Sequence, residues 1–348
     1  MIEKNNYNMK KQLFSALLFL TTFYQINAQT ITPEKLGFNH FIINDKSLGE
    51  INYYISSKDI DKSKPILLYL DGSGALPMFQ YTERGIGSSV IIDFQNLSNI
   101  YHVILISKPG VQFIDSVKMD IERGTPIYET PKTYKEKLSL EWRVNSAKLI
   151  LEKSIKELKV ENKKVAVIGI SEGFQVGAKL ASIDNNVSHL MLFVGNGLNQ
   201  IYDFIIQNRT DAQSGAIPTE VAQKNIDSLY IIAKDIYENP NATDKEWYGH
   251  TYLRWSSFTN NNPTENILSL NIPVYIVAAA NDKNTSVLGT DYLYLECIRQ
   301  KKKNIFYNVY PVEHSLNEPI KDENGNIISM KNYRTEILNT AFEWLNEN

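Results

Sequence analysis

Lys164-Val165-Ala166-Val167-Ile168-Gly169-Ile170-Ser171-Glu172-Gly173 is the stretch that decides how this chain folds. From Val165 to Ile168 it is an unbroken apolar run, the mark of a strand buried on both faces. Its second half is G-x-S-x-G, and the residues beyond it, to about Ser182, read as a helix. A strand passing through that pattern into a helix is a nucleophile elbow. The turn is too tight for side chains at Gly169 and Gly173. It also strains the backbone at Ser171 and lifts the hydroxyl over the carboxyl end of the sheet. The helix that begins there aims its N-terminal amides at the same point. The string alone is weak; its setting between strand and helix gives it weight.

Outward from the elbow, strands and helices alternate. Residues 52–56, 65–70, 101–106, 187–194, 272–279 and 305–310 carry strand character, several as apolar runs. Residues 133–158 read as a helix, because Leu140, Val144, Ala147, Leu151, Ile155 and Leu158 recur at three- and four-residue spacing and make one buried stripe. A terminal helix is expected over about 333–346. Such alternation implies an α/β fold, a mostly parallel central sheet with helices on both faces. Between about 196 and 271 the pattern changes to helices among Asn-rich turns, clearest at 219–237. That segment reads as an inserted helical cap over one end of the sheet.

A reactive serine needs a base, and the base needs an orienting acid. With the nucleophile at an elbow, the chain order is serine, acid, histidine. His314, in Val312-Glu313-His314-Ser315-Leu316, follows the last apolar strand and is the candidate base. His40, His102, His189 and His250 lie before, within or between strands. Asp282 stands at the carboxyl end of the strand that begins near Pro273 and is the candidate acid. Asp291 sits too deep in the following helix, and Glu313 is adjacent to the base rather than across from it. An oxyanion hole needs two amides: one is expected from Glu172, the other from Asp71-Gly72-Ser73-Gly74, with Ser73 favoured and Gly74 the alternative. In the cap, Trp247-Tyr248-Gly249-His250-Thr251-Tyr252-Leu253-Arg254-Trp255 is first a packing segment. Its second reading is a pocket wall whose arginine holds a substrate carboxylate or amide.

The 348 residues are 43% hydrophobic and 22% charged, ordinary globular values. The net charge of −3 offers no basic face for nucleic acid. Cys297 is the single cysteine, which precludes an internal disulfide; its apolar helical context marks a buried structural thiol. No Cys/His cluster has zinc spacing, and no cofactor is expected. Residues 1–28 read as a signal peptide: Lys10 and Lys11 form a positive region, 13–24 an apolar one, and Ile26-Asn27-Ala28 a cleavage site before Gln29. Export to the periplasm or medium follows as an expectation. No later stretch is long and apolar enough to span a membrane.

The elbow, the placement of Asp282 and His314, the glycine-rich loop and the inserted cap together resemble the α/β-hydrolase superfamily over about residues 45–347. Within it, Ser171-Glu172-Gly173 and Ser107-Lys108-Pro109-Gly110-Val111 are similar to bacterial esterase and peptidase-like members, and Ser-Glu-Gly also to the prolyl-oligopeptidase branch. Two departures stand out: Phe174 replaces a further glycine at the elbow, and Asp71 replaces the usual histidine of the oxyanion loop. The dehalogenase and epoxide-hydrolase branches resemble the chain less, since their nucleophile is an aspartate. The resemblance implies hydrolysis of an ester or related acyl bond in a small-molecule or peptide substrate. A serine peptidase or amidase is the nearer alternative, and a non-catalytic binding protein of the same fold the more distant one.

Overall fold

The structure, a computed structural model, describes residues 31–82, 85–120 and 125–348. The expected leader at 1–28 lies outside them. Eight strands form the central sheet: β1 Phe38–Asp45, β2 Gly49–Ser56, β3 Lys64–Leu70, β4 His102–Ile106, β5 Val160–Ile170, β6 His189–Phe193, β7 Val274–Ala279 and β8 Ile305–Tyr310. Their spatial order is β1-β2-β4-β3-β5-β6-β7-β8. The pairs β1/β2 and β2/β4 are antiparallel, and all the rest are parallel.

Strand β3 shows why the sheet must be covered twice. Ile66, Leu68 and Leu70 enter one apolar cluster, while Leu67 and Tyr69 enter another on the opposite face. Strand β5 divides likewise, with Val165 and Val167 on one side and Ala166, Ile168 and Ile170 on the other. Side chains alternate along a strand, so an unbroken apolar run needs two apolar partners. The first face receives α1 (Leu140–Glu157), through Ala147, Ile150 and Leu151, and α2 (Glu172–Ile183), through Phe174, Ala178 and Leu180. The second receives the C-terminal helix Arg334–Glu347, through Ile337, Leu338, Ala341 and Leu345.

Between β6 and β7 come α3 (Gln200–Gln213), α4 (Thr219–Glu238), a small hairpin, α5 (Tyr252–Thr259) and α6 (Pro263–Leu268). The hairpin pairs Trp247 with His250, and its two turn residues, Tyr248 and Gly249, have φ of 48° and 76°. Two consecutive positive φ values characterise the type I′ turn, whose twist matches that of the strands it joins. After β7 the chain forms α7 (Val287–Arg299) and, beyond β8, α8 (Arg334–Glu347). Cys297 of α7 is 1% exposed; burial pushes its thiol up to about 11, so it is an inert packing residue.

The helix expected over 133–158 is two helices. A short one, Lys132–Lys137, ends where Leu138 turns extended, and α1 starts afresh with Ser139 as N-cap, its hydroxyl accepting from the Trp142 amide. The apolar stripe runs across this break because it records burial and not backbone continuity. Strand β1, the three-stranded sheet of Phe79–Thr82, Gly85–Ser88 and Ile114–Ser116, and the hairpin Asn317–Lys321/Ile327–Asn332 are additions to the expected elements.

Candidate active site

Ser171 has φ 55° and ψ −117°, a conformation that costs a non-glycine residue on the order of 1–3 kcal/mol. Glycine on either side makes it possible. A Cβ at Gly169 would overlap the carbonyl of Gly173, and a Cβ at Gly173 would overlap that of Leu70. The Ser171 amide donates to Phe193 O (2.9 Å), which fixes the turn to β6. Phe174 is fully buried, and the space for its ring comes from Gly195, where a Cβ would collide with it. A notch in the neighbouring strand-end loop thus replaces the extra elbow glycine.

His314 and Asp282 meet Ser171 beyond the carboxyl ends of β8, β7 and β5. His314 Nε2 is 3.0 Å from Ser171 Oγ, and His314 Nδ1 is 2.7 Å from Asp282 Oδ2. Donors surround the Asp282 carboxylate: the amides of Asn284 (2.7 Å) and Thr285 (3.0 Å) on Oδ1, and the Thr285 hydroxyl (2.8 Å) with the histidine on Oδ2. A carboxylate in that setting only accepts, so Nδ1 carries the proton and Nε2 is left free to accept from Ser171. The histidine loop is pinned on both sides by Val312 and Leu316, buried at 0% and 1% exposure.

Ser73 lines the same cavity as Ser171, Glu172 and His314. The amide of Glu172 is the first of α2 and has no acceptor within the helix. Sequence reasoning assigned Glu172 only that amide and left its side chain without a role. The carboxylate is buried and ion-paired to Arg143 Nη1 (2.7 Å) and Arg254 Nη2 (2.5 Å). Arg143 also reaches Asp71 Oδ1 (2.6 Å), and Lys108 reaches Asp71 Oδ2 (2.6 Å) and Gly74 O (2.8 Å). The result is a five-membered ion cluster joining the Asp71–Gly74 loop, the elbow and α5. It explains Asp71 in place of histidine: the position is an anchor for two cations. Burial acts to raise the Glu172 carboxyl, but Arg254 and Arg143 outweigh it and hold it well below the usual carboxylate range.

The cavity measures about 340 Å³. Its wall mixes polar side chains, among them Gln175, Gln200, Gln207 and Asn284, with the rings of Phe204, Trp255 and Tyr248. The cap aromatics both pack and line: the Trp247 and Trp255 rings are 4.8 Å apart, and Arg254 lies 4.5 Å from the Trp255 ring and 4.6 Å from that of Phe258. Among the described residues no group of His, Cys, Asp or Glu could hold a metal ion, and no helix is long and apolar enough to cross a membrane.

Asp203, in the first turn of α3, also lines the cavity. Burial pushes its carboxyl up to about 6, against hydrogen bonds from Asn196 and the Ser286 amide that act to lower it. A carboxyl raised in this way binds its proton more tightly in the folded chain. The stability it contributes is complete below the unfolded value near 4 and is lost as pH rises through about 6. Asp203→Asn should therefore stabilise the protein by on the order of 2 kcal/mol at pH 8 and by almost nothing at pH 4. Thermal melts of both proteins at the two pH values check this; an equal gain at both would remove the carboxyl as its cause.

The chain matches no known family profile and no curated protein. Its fold is shared with solved structures. The acylaminoacyl peptidase of Pyrococcus horikoshii aligns at 13% identity and TM-score 0.50 over 80% of this chain and 37% of its own length. Dipeptidyl peptidase 4 of Porphyromonas gingivalis aligns at 13% and 0.50 over 89% of this chain and 35% of its own. The alpha/beta hydrolase GrgF from Penicillium sp. sh18 aligns at 12% and 0.50 over 89% of this chain and 98% of its own. The chain therefore spans about a third of each peptidase and nearly the whole of GrgF. Identities this low speak for the fold alone.

Proposed function

For a chain that has the α/β-hydrolase fold, we propose the function of a serine hydrolase that cleaves an ester or related acyl bond through an acyl-enzyme. The observation that carries the reading is the line Ser171 Oγ to His314 Nε2 to Asp282, with gaps of 3.0 and 2.7 Å. His314 takes the Ser171 proton as Oγ attacks the substrate carbonyl. The amides of Glu172 and of Ser73, or its neighbour Gly74, receive the oxyanion. The imidazolium, held by Asp282, then protonates the leaving group, and water releases the acyl chain by the reverse sequence.

Labelling with a fluorophosphonate, mapped by peptide mass spectrometry, tests the assignment. The wild-type protein should carry the label on Ser171, and Ser171→Ala should carry none. An unlabelled wild type, or equal labelling of the variant, counts against the enzyme. A cavity of about 340 Å³ lined by both polar and aromatic side chains suits a short acyl group better than a lipid chain. Gln200, Gln207 and Asn284 favour a second reading, peptide or amide hydrolysis, because their side-chain amides keep groups that can hydrogen-bond a peptide backbone, whereas Gln175 is taken up by Phe258 O, Asn261 O and Gln200. Rates on p-nitrophenyl esters and aminoacyl-naphthylamides separate the two.

Export belongs to the same proposal and rests on residues 1–28 alone. Cells producing the full chain should release a product that begins at Gln29; N-terminal sequencing that finds residues 1–28 retained would remove it.

A further inference from the structure

With Lys108 protonated, against the burial that pushes it down, the ion cluster beneath the elbow is one negative charge short. Lys108, Arg143 and Arg254 bring three cations to the carboxylates of Asp71 and Glu172, and all five residues are buried. Charge in a protein interior is costly unless paired. Arg143 is paired through both terminal nitrogens, Nη1 to Glu172 and Nη2 to Asp71. Arg254 is not. Its Nε (3.1 Å) and Nη2 (2.5 Å) both donate to Glu172 Oε2, while Nη1 is buried without an acceptor. The guanidinium lies against the Trp255 and Phe258 rings, 4.5 and 4.6 Å from their centroids, which hold it in place.

A second unpartnered nitrogen lies close by. His250 Nδ1 is also buried without a hydrogen bond, and its ring packs edge-on against Trp255 at 6.0 Å. Burial, with Arg254 adding to it, pushes His250 down to about 4, so the ring is neutral at pH 7 and offers one N–H. Arg254 and His250 line the same cavity as Ser171 and His314. Asp203 is engaged elsewhere, by hydrogen bonds from Asn196 and the Ser286 amide.

We propose that the cavity takes acyl substrates bearing a second, free carboxylate, which Arg254 Nη1 and His250 receive while the scissile carbonyl lies at Ser171. This rests on the hydrolase reading and names its substrate class: half-esters or half-amides of short dicarboxylic acids. A charged hydrogen bond of this kind is roughly twice as strong as a neutral one. The incoming carboxylate also brings the cluster to balance, and a neutral acyl group of the same shape does not.

Calorimetry on the Ser171→Ala protein tests the proposal without turnover, using monomethyl glutarate against dimethyl glutarate. The monoester should bind at least about tenfold tighter, a difference of about 1.4 kcal/mol. Arg254→Gln should abolish the preference. Because that change strips a partner from Glu172 and can cost the fold, His250→Ala serves as the second variant; it leaves the Arg254–Glu172 pair intact and should reduce the preference several-fold. Equal affinity for the two esters, or no binding of either at about 10 mM, overturns the proposal. Fluorophosphonate labelling of the wild type stands apart: a labelled enzyme with no preference loses the carboxylate site alone, whereas an unlabelled one loses the hydrolase reading and keeps the calorimetric answer.

Discussion

Replacing Ser171 with alanine should lower kcat on any accepted substrate by about five to six orders of magnitude, the scale seen when a triad serine is removed. Only the attacking oxygen is lost, and the cavity wall remains. KM should therefore move much less than kcat, and the residual rate should be that of substrate held beside the oxyanion amides. Asp282→Asn is the informative companion. The Asn284 and Thr285 amides can still bond an amide oxygen at position 282, but an asparagine can present its NH2 to His314 and reverse the tautomer. A fall of about ten-thousand-fold in kcat is expected near neutral pH. Steady-state kinetics on a p-nitrophenyl ester read both. If Ser171→Ala kept more than a hundredth of the parent rate, the nucleophile would have to be sought elsewhere.

The largest effect on stability is expected at Glu172, the side chain that the reaction does not use. Glu172→Ala leaves two guanidiniums facing a cavity with no carboxylate between them, and breaking a buried ion pair from one side costs about 3–5 kcal/mol. For a domain whose whole margin is about 5–15 kcal/mol, that is a large fraction. Urea unfolding at pH 7.5 should show a midpoint well below the parent's with an unchanged slope. A midpoint within error of the parent's would mean that water reaches the cluster. The intact cluster should not be credited with stability in proportion, since desolvating five ionic groups offsets most of their attraction. Its contribution lies in register: it fixes the loop at Asp71, the elbow at Glu172 and helix α5 to one another.

The contrast between Ser171 and Glu172 shows what the sequence could convey. Ser171 sits in a local pattern, an apolar strand, two glycines and a helix start, and each part has a steric reason that can be read within ten residues. Asp282 and His314 are farther along the chain, but strand ends order them, and strand ends are marked by apolar runs. The β3 and β5 runs were legible for the same reason, since burial on both faces leaves no polar position. The cluster partners of Glu172 had no such marker. Asp71, Lys108, Arg143 and Arg254 lie on four separate elements, and a lone charged residue in a helix such as α1 looks like any solvent-facing one. One signal was available: Arg143 falls among Leu140, Val144 and Ala147, on the apolar side of its helix. Strand β1 escaped because it is an edge strand, with one face half exposed and polar residues breaking its run. The break at Leu138–Ser139 escaped because a stripe of apolar spacing does not register a capping serine.

The Arg254–Glu172 bond decides how this protein can admit a ligand. In many enzymes a helical roof hinges upward to let substrate in and product out, and that swing sets the turnover rate. Here helix α5 is tied to the elbow by a desolvated ion pair, and lifting it would strand the Arg254 charge and leave Glu172 to Arg143 alone. A route of entry that leaves α5 in place is what this tie demands, so the Arg254–Glu172 contact should persist when a ligand binds.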